Sequence, residues 1–370
     1  MNVAVLLETA QGEKRVAAVP ATVEKMVKAG MQVSIQSGAG LGSTISDDEY
    51  AAAGARIDPR PEAVLEGAGA VLRVQRPSAA ELDRMPERAA VIAYTLQANS
   101  DPELREALKR RRLTALSLDL VPRIARAQNM DVLSSMANIA GYKSVLLAAN
   151  ALGKFFPMLM TAAGTVVPAR VLVLGAGVAG LQAVATARRL GAVVSAFDIR
   201  PVAKEQVESL GARFVGSSLH KDAQDARGYA KEVSADAAQR DRDMLLHEMA
   251  TADVCITTAL VPGKRAPILV TAPMVKAMKI GSVIVDLAAE QGGNCELTEP
   301  GKDAVKHGVT IMGPLNVVSD MAPQASQLYS RNVLTFLLHL FDKKSSALAL
   351  DRGDEITRSC LVSLDGEVLQ

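Results

Sequence analysis

The sequence predicts an α/β protein of two doubly wound parallel-sheet domains flanking a cleft and linked by long helices. Three observations predict it. Short apolar runs alternate with helical stretches twice along the chain, glycines follow the ends of helices, and a glycine-rich turn joins strand to helix where the second alternation starts. Strands separated by helices of about 10 residues point to parallel βαβ units. Right-handed, short connections then place helices on both faces of each sheet.

In the first block Asn2 to Leu7 reads as a buried strand, Pro20 to Ala29 as a helix stopped by Gly30, and Gln32 to Gln36 as the next strand. Ala70 to Val74, Ala90 to Tyr94 and Thr114 to Leu118 continue the strands, with a helix over Pro102 to Arg111. Asp131 to Leu152 is a long apolar helical stretch without an internal proline, suited to bridging two domains. The second block opens at Arg170, with a helix from Leu181 to Leu190 and strands at Val193 to Asp198, Phe214–Val215, Val254 to Leu260, Ser282 to Leu287 and Thr310 to Met312. Gln327 to Phe341 is a late amphipathic helix, and the tail LVSLDGEVLQ reads as a hairpin around Asp365-Gly366. The expected division is residues 1–130 with 323–370 against residues 131–322, the chain returning to its first domain at the end.

Composition excludes several functions. With 370 residues, 49% hydrophobic and 22% charged, the chain can build two sizeable cores and is not disordered. A net charge of +1 gives no electrostatic case for nucleic acid, and 3% aromatics without tryptophan give no stacking platform. Cys255, Cys295 and Cys360 lie too far apart in sequence for a disulfide framework, so a reducing compartment is expected. The amino terminus shows no secretory pattern. The uncharged runs 155–169 and 171–187 are interrupted by prolines or glycines and fall short of the roughly 20 apolar residues of a span. The expectation is a soluble protein.

Gly175-Ala176-Gly177-Val178-Ala179-Gly180 fits G-x-G-x-x-G, a weak pattern alone. Its context strengthens it: the run follows the apolar strand Val171 to Leu174, opens a helix, and is followed 23 residues after Gly175 by Asp198 at the end of the next strand. Gly175 permits the tight turn, Gly177 lets a pyrophosphate approach the backbone, and Gly180 lets helix and strand pack closely. The helix start offers N–H groups and a partial positive charge to phosphates. Asp198 suits ribose hydroxyls and repels a 2′-phosphate, favouring NAD(H) over NADP(H), although Arg200 beside it softens that argument. The plainer explanation is a glycine turn that binds nothing. A second cluster, Gly38-Ala39-Gly40-Leu41-Gly42, lacks the third glycine at the required spacing and reads as a loop.

The polar loop Pro122 to Asp131 brings Arg123, Gln128 and Asp131 to the expected domain junction, where dinucleotide clefts form. Asp131 and Ser134 also suit helix capping, which would explain that pair without a ligand. Residues 216–253 are dense in charge and long for a connection within an α/β unit, which suggests a lid with its hinge and tip at Gly228-Tyr229. A solvated surface helix from Val233 to Met249 is the plainer account of most of that stretch. His220, His247, His307 and His339 are scattered, without metal-ligand spacing. No group stands out that would move a proton as a hydride moves, as hydroxy-acid and amino-acid dehydrogenases require.

At this point particular runs carry a resemblance. GEKRVAAVP, RVQRP, PRIARAQNMDVLSSMANIAGY, MTAAGTVVPARVLVLGAGVAGLQA, KEQVESLGA, GYAKE, TTALVPGK and DLAAEQGGN make the chain resemble, over almost its whole length, the NAD(H)-binding component (domain I) of proton-translocating nicotinamide nucleotide transhydrogenases. Alanine dehydrogenases share that fold. Their working lysine and histidine fall at Gln75 and Thr95 here, and an aspartate of theirs at Glu290; Arg15, which helps them hold the substrate carboxylate, is kept. Loss of the amine and the imidazole disfavours alanine dehydrogenase chemistry.

The resemblance implies two Rossmann-like domains and catalytic positions Arg123, Gln128 and Asp131, holding the nicotinamide end with Ser134. It further implies NAD contacts at Val178, Asp198, Ile199, Arg200 and Leu260, beside Gly175, Gly177 and Gly180, with a mobile loop at Gly228-Tyr229. A glutamine contact of relatives falls at Asp241 and is not carried over. The implied function is that of a Si-type, proton-translocating NAD(P)+ transhydrogenase subunit. It binds NAD(H), passes hydride directly to or from NADP(H) on a partner component, and works with a membrane proton-channel component. A homodimer paired around the carboxy-terminal hairpin is implied, peripheral on the cytoplasmic face of the inner membrane, with no metal. An alanine-dehydrogenase-like enzyme and a non-catalytic NAD(H) sensor are the alternatives.

Overall fold

In a computed structural model, residues 1–96, 101–216, 235–260 and 265–369 are described, the side chains of 235–240 excepted. The chain forms two compact units, residues 1–136 with 318–370 and residues 137–317. The division falls inside helix Val132–Ala151.

In the first unit, strands β1 (Asn2–Val5), β2 (Gln32–Gln36), β3 (Arg56–Asp58), β4 (Ala68–Leu72), β5 (Ala90–Ala93) and β6 (Thr114–Ser117) lie in the order β3-β2-β1-β4-β5-β6. All five of these pairings are parallel. The chain therefore works outward to one side of β1 and then to the other, the doubly wound order. Helix Pro20–Lys28 shows why the local sequence folds as it does. Proline opens its first turn, where no N–H is needed, Thr22, Val23 and Met26 form its buried face, and Gly30 follows at a φ of 95°.

The second unit repeats the plan. A small antiparallel hairpin, β7 (Leu159–Thr161) and β8 (Gly164–Val166), precedes β9 (Arg170–Leu174), β10 (Val193–Phe197), β11 (Arg213–Val215), β12 (Val254–Thr257), β13 (Val283–Asp286), β14 (Asp303–Lys306) and β15 (Val309–Met312). The sheet order is β11-β10-β9-β12-β13-β15-β14, parallel except for β14. Val171, Val173, Val194, Ile256, Val283 and Val285 pack one face against Ala183, Val184 and Ala187 of helix Val178–Arg189. The opposite face carries a second core that includes Leu172, Leu174, Cys255, Ile284 and Met274.

The remainder of the chain completes the first unit. Helix Ala322–Leu340 buries Tyr329, Val333, Phe336 and Leu337. A two-residue ladder, β16 (Phe341–Asp342) with β17 (Ala347–Leu348), follows. Strands β18 (Leu361–Leu364) and β19 (Glu367–Val368) then extend the first sheet beyond β6, both antiparallel. The tail hairpin is thus a sheet edge, with Leu361 and Val362 buried.

Several expectations shift at their borders. The helix placed at Gln327 begins at Ala322, and the strand extended to Leu260 ends at Thr257. The helix of the charged stretch spans Ala235–Thr251. The hinge and tip assigned to Gly228-Tyr229 lie outside the described residues. Helix Val132–Ala151 is long and apolar enough to cross a membrane by length and composition, but its Val145 and Ala148 sit in the core of the second unit.

Candidate nucleotide site

The glycine run of the second unit forms the turn between β9 and helix Val178–Arg189, and Gly177 is the residue before the first helical turn. Gly175 takes a φ of 97°, in the left-handed region where a side chain is strained. A Cβ on Gly180 would stand 1.8 Å from the carbonyl oxygen of Gly175, so this position admits only glycine. The neighbouring helix makes a similar approach: a Cβ on Gly141 would lie 2.0 Å from the carbonyl oxygen of Ala179. Gly177 differs, because a Cβ there would meet nothing within 4 Å. Protein packing therefore demands glycine at 175 and 180 but not at 177.

Three further bonds hold the turn. The Gly175 N–H donates to the Phe197 carbonyl (2.8 Å), the Ala176 N–H donates to Asp198 Oδ2 (2.7 Å), and Thr258 Oγ1 donates to the Gly175 carbonyl (2.9 Å). The site thus sits at the carboxyl ends of β9, β10 and β12, where the strand order reverses about β9. In open α/β sheets that switch point is where ligands bind.

Asp198 is buried and fully engaged. Besides the Ala176 N–H, it accepts from the Arg200 backbone N–H (2.9 Å) and Arg200 Nε (2.9 Å) on Oδ1, and from Arg200 Nη2 (2.8 Å) on Oδ2. The hydrogen bonds to Asp198 raise the Arg200 pKa further, against the effect of partial burial. The charge of Asp198 is paired with Arg200, the neighbour expected to soften its repulsion of a 2′-phosphate. Val178 and Leu260 are exposed at the same end of the sheet, whereas Ile199 is half-buried and packs on the second core.

Sequence reasoning missed what holds the segment after β12. Asn294, fully buried, accepts from the Ala259 N–H (3.0 Å) and donates through Nδ2 to the carbonyls of Ala259 and Pro267 (2.8 Å each). Asp286, also fully buried, accepts from Thr257 Oγ1 (2.8 Å), the Ala288 N–H (3.0 Å), the Cys295 N–H (3.0 Å) and Thr298 Oγ1 (2.7 Å). Buried polar groups with every partner in place specify one backbone arrangement. The pair therefore fixes the loop DLAAEQGGN to the residues preceding Leu260.

In the first unit, Arg123, Gln128, Asp131 and Ser134 lie on one continuous stretch. Gln128 is exposed within the 3₁₀ turn Ala125–Met130, and Arg123 is exposed just before it. Asp131 caps the following helix: Oδ1 accepts the Ser134 N–H (2.9 Å) and Oδ2 accepts Ser134 Oγ (2.6 Å). The helix-cap role foreseen for Asp131 is realised, and Ser134 is the donor to that cap.

The positions that correspond to the alanine dehydrogenase residues are also in the first unit, Glu290 excepted. Glu13 accepts from Arg15 Nε (2.8 Å), Arg15 Nη2 (2.6 Å) and Gln75 Nε2 (2.7 Å). Burial pushes the Glu13 carboxyl up, but hydrogen bonds and charge from Arg15 outweigh it and hold its pKa at about 2. Arg15 is thus charge-matched within the chain. In the second unit Glu290 accepts from the Asn316 N–H, and Asp241 is buried. Among the described residues, no group of three or more His, Cys, Asp or Glu side chains could hold a metal ion.

Comparison with known proteins agrees with this geometry. Residues 4–140 match the family described as Alanine dehydrogenase/PNT, N-terminal domain, and residues 144–370 match Alanine dehydrogenase/PNT, C-terminal domain. The chain is 48% identical to the first of the parts that make up NAD(P) transhydrogenase subunit alpha in Rhodospirillum rubrum, across 100% of this chain and 98% of that protein. The solved structure of transhydrogenase from Sinorhizobium meliloti superposes with a TM-score of 0.90 at 44% identity, covering 100% of both chains. An L-alanine dehydrogenase structure is more distant, with a TM-score of 0.84 at 30% identity over 100% of this chain and 97% of that one. The chain belongs to the alanine dehydrogenase/PNT family, and within it stands with the NAD(P) transhydrogenase alpha subunits.

Proposed function

We propose that this chain holds NAD(H) in its second unit and presents it to NADP(H) carried by a partner component, for direct transfer coupled to proton translocation. The observation that carries the reading is the glycine turn at the sheet's switch point. Packing demands glycine at 175 and 180, while at 177 the protein leaves room beside the helix start, as the approach of a pyrophosphate requires. The N–H groups at that helix start bind the phosphates, Asp198 holds the adenosine ribose, and Val178, Ile199, Arg200 and Leu260 flank the adenosine. Arg123, Gln128, Asp131 and Ser134 orient the nicotinamide end. Bound NADH would supply the hydride for direct, Si-type transfer to the second nicotinamide, with no proton entering or leaving either ring.

The chain's own residues fit that proton balance. Gln75 has no titratable proton and is committed to Glu13, and Thr95 stands where an imidazole would be required. Arg15, paired with Glu13, is not an uncommitted receptor for a substrate carboxylate. The isolated chain is therefore expected to bind NADH, followed by its fluorescence, yet to leave it unoxidised when pyruvate and ammonium are added. Steady NADH consumption in that mixture would establish the alanine dehydrogenase alternative.

The proposed assembly is a homodimer joined by the NADP(H)-binding and membrane proton-channel components, held peripherally on the cytoplasmic face of the inner membrane. Phe155, Met158, Met160 and Val167, in and beside the β7–β8 hairpin, are exposed, and this apolar surface supports association with another chain. The carboxy-terminal hairpin, around which the homodimer is proposed to pair, forms the outer edge of the first sheet.

A further inference from the structure

The turn that carries Gln128 is held from two sides by the carboxy-terminal part of the first unit. Ala127 and Met130 bury its inner face, while Arg126, Gln128 and Asn129 are exposed. Before Gln128, Arg126 Nη1 donates to Asp354 Oδ1 at 2.6 Å. Asp354 is itself fixed as the cap of helix Glu355–Cys360, where its Oδ2 accepts the Thr357 N–H (2.8 Å) and Thr357 Oγ1 (3.0 Å). The same oxygen lies 3.0 Å from His339 Nε2. After Gln128, the Asn129 carbonyl accepts from Asn332 Nδ2 at 2.8 Å. Asn332 is buried in the interior of helix Ala322–Leu340, where asparagine is a poor helix former. Its Oδ1 is buried with no partner among the described residues. Reversing the amide would set two oxygens against each other, so Nδ2 must face Asn129. A leucine of similar volume would leave no buried acceptor unpaired, and the exposed Asn129 could turn its carbonyl to water. Stability alone therefore does not account for the asparagine, whereas its hold on the turn does.

We propose that Asn332 and Asp354 are positioning residues for hydride transfer, pinning the turn Ala125–Met130 so that Gln128 is presented in one orientation. The inference rests on the reading that this turn orients the nicotinamide end. Asn332 fixes the backbone one residue after Gln128, and Asp354 fixes the turn, through Arg126, two residues before it. The Asp131 cap on Ser134 holds the same stretch further along. Transfer between two rings tolerates little misplacement, so the turn must be rigid as well as folded. Asn332 carries the larger share, because its bond is buried, whereas Arg126 is exposed and its ion pair is screened.

The test uses the chain reconstituted with an NADP(H)-binding transhydrogenase component and compares wild type with Asn332→Leu, Asp354→Asn, Arg126→Ala and Gln128→Ala. Maximal transfer is read at saturating NADH and partner, beside NADH affinity, thermal melting and amide hydrogen exchange over residues 125–130. Asn332→Leu should slow maximal transfer about tenfold and change NADH affinity less than about twofold, since a misplacement of about 1 Å costs up to about a hundredfold. Its melting should hold while the turn exchanges its amide hydrogens faster. Asp354→Asn keeps a capping side chain but loses the charge that pairs with Arg126, and should slow transfer about threefold, the scale of an exposed ion pair. Arg126→Ala should match it. A loss in Arg126→Ala without one in Asp354→Asn would refute the pinning through Asp354. If Asn332→Leu loses transfer only in proportion to folded protein, its role is structural and the positioning role is refuted. If Gln128→Ala slows transfer but Asn332→Leu and Asp354→Asn run at the wild-type rate, the pinning is refuted and the role of the turn stands. If Gln128→Ala transfers as wild type, the reading of the turn and this inference fail together.

Discussion

Replacing Gly180 by alanine is expected to destabilise the second unit by about 3 kcal/mol and to weaken NADH binding by tenfold or more. The added methyl would sit 1.8 Å from the Gly175 carbonyl oxygen, which itself accepts a bond from Thr258 Oγ1 at 2.9 Å. Relief requires backbone displacement, since the obstacle is a main-chain carbonyl, and overpacking of this kind costs about 1–3 kcal/mol or more. Displacing Gly175 also moves the Ala176 N–H away from Asp198, so loop and ribose site are disturbed together. Gly177→Ala is the matched control. Its methyl meets no protein atom, so melting should be unchanged while NADH affinity falls. Thermal unfolding and NADH titration of the two variants separate packing from binding. A Gly180→Ala protein that melts and binds as wild type would contradict the geometry.

The second large effect concerns transfer and spares binding. Gln128→Ala is expected to lower the reconstituted transfer rate about a hundredfold while changing NADH affinity less than about threefold, because misorientation of a reacting ring has that scale of cost. Gln128 is exposed on a 3₁₀ turn, so its removal should leave stability within about 0.5 kcal/mol. Single-turnover transfer and equilibrium titration on the same variant check this. Equal losses in both would assign Gln128 to binding alone.

The central strands of both sheets were legible because each is a short apolar run bounded by turn residues. Two strands that escaped, β3 and β14, are sheet edges. β3 is Arg-Ile-Asp and half exposed, and β14 is Asp-Ala-Val-Lys, so neither shows a buried run; charged, short strands are how sheets protect an edge. The β7–β8 hairpin lies in an uncharged stretch whose residue types fit several conformations. Pro323 masked the start of helix Ala322–Leu340, although proline is well tolerated in a first helical turn. At the site, the glycine spacing and Asp198 could be read directly because each chemical role dictates a residue type. The hold of Asn294 on Ala259 could not, since it joins residues 35 positions apart through backbone atoms that leave no trace in composition. Nor could the spacing of Asp198 and Arg200 reveal that the guanidinium folds back onto the carboxylate.

Mixing the purified chain with an NADP(H)-binding transhydrogenase component and following reduction of an NADP analogue by NADH tests the central claim most directly. The account predicts no analogue reduction by either protein alone and rapid transfer once they are combined. Bound NADH that never reduces the analogue, whatever the proportion of partner supplied, would contradict it.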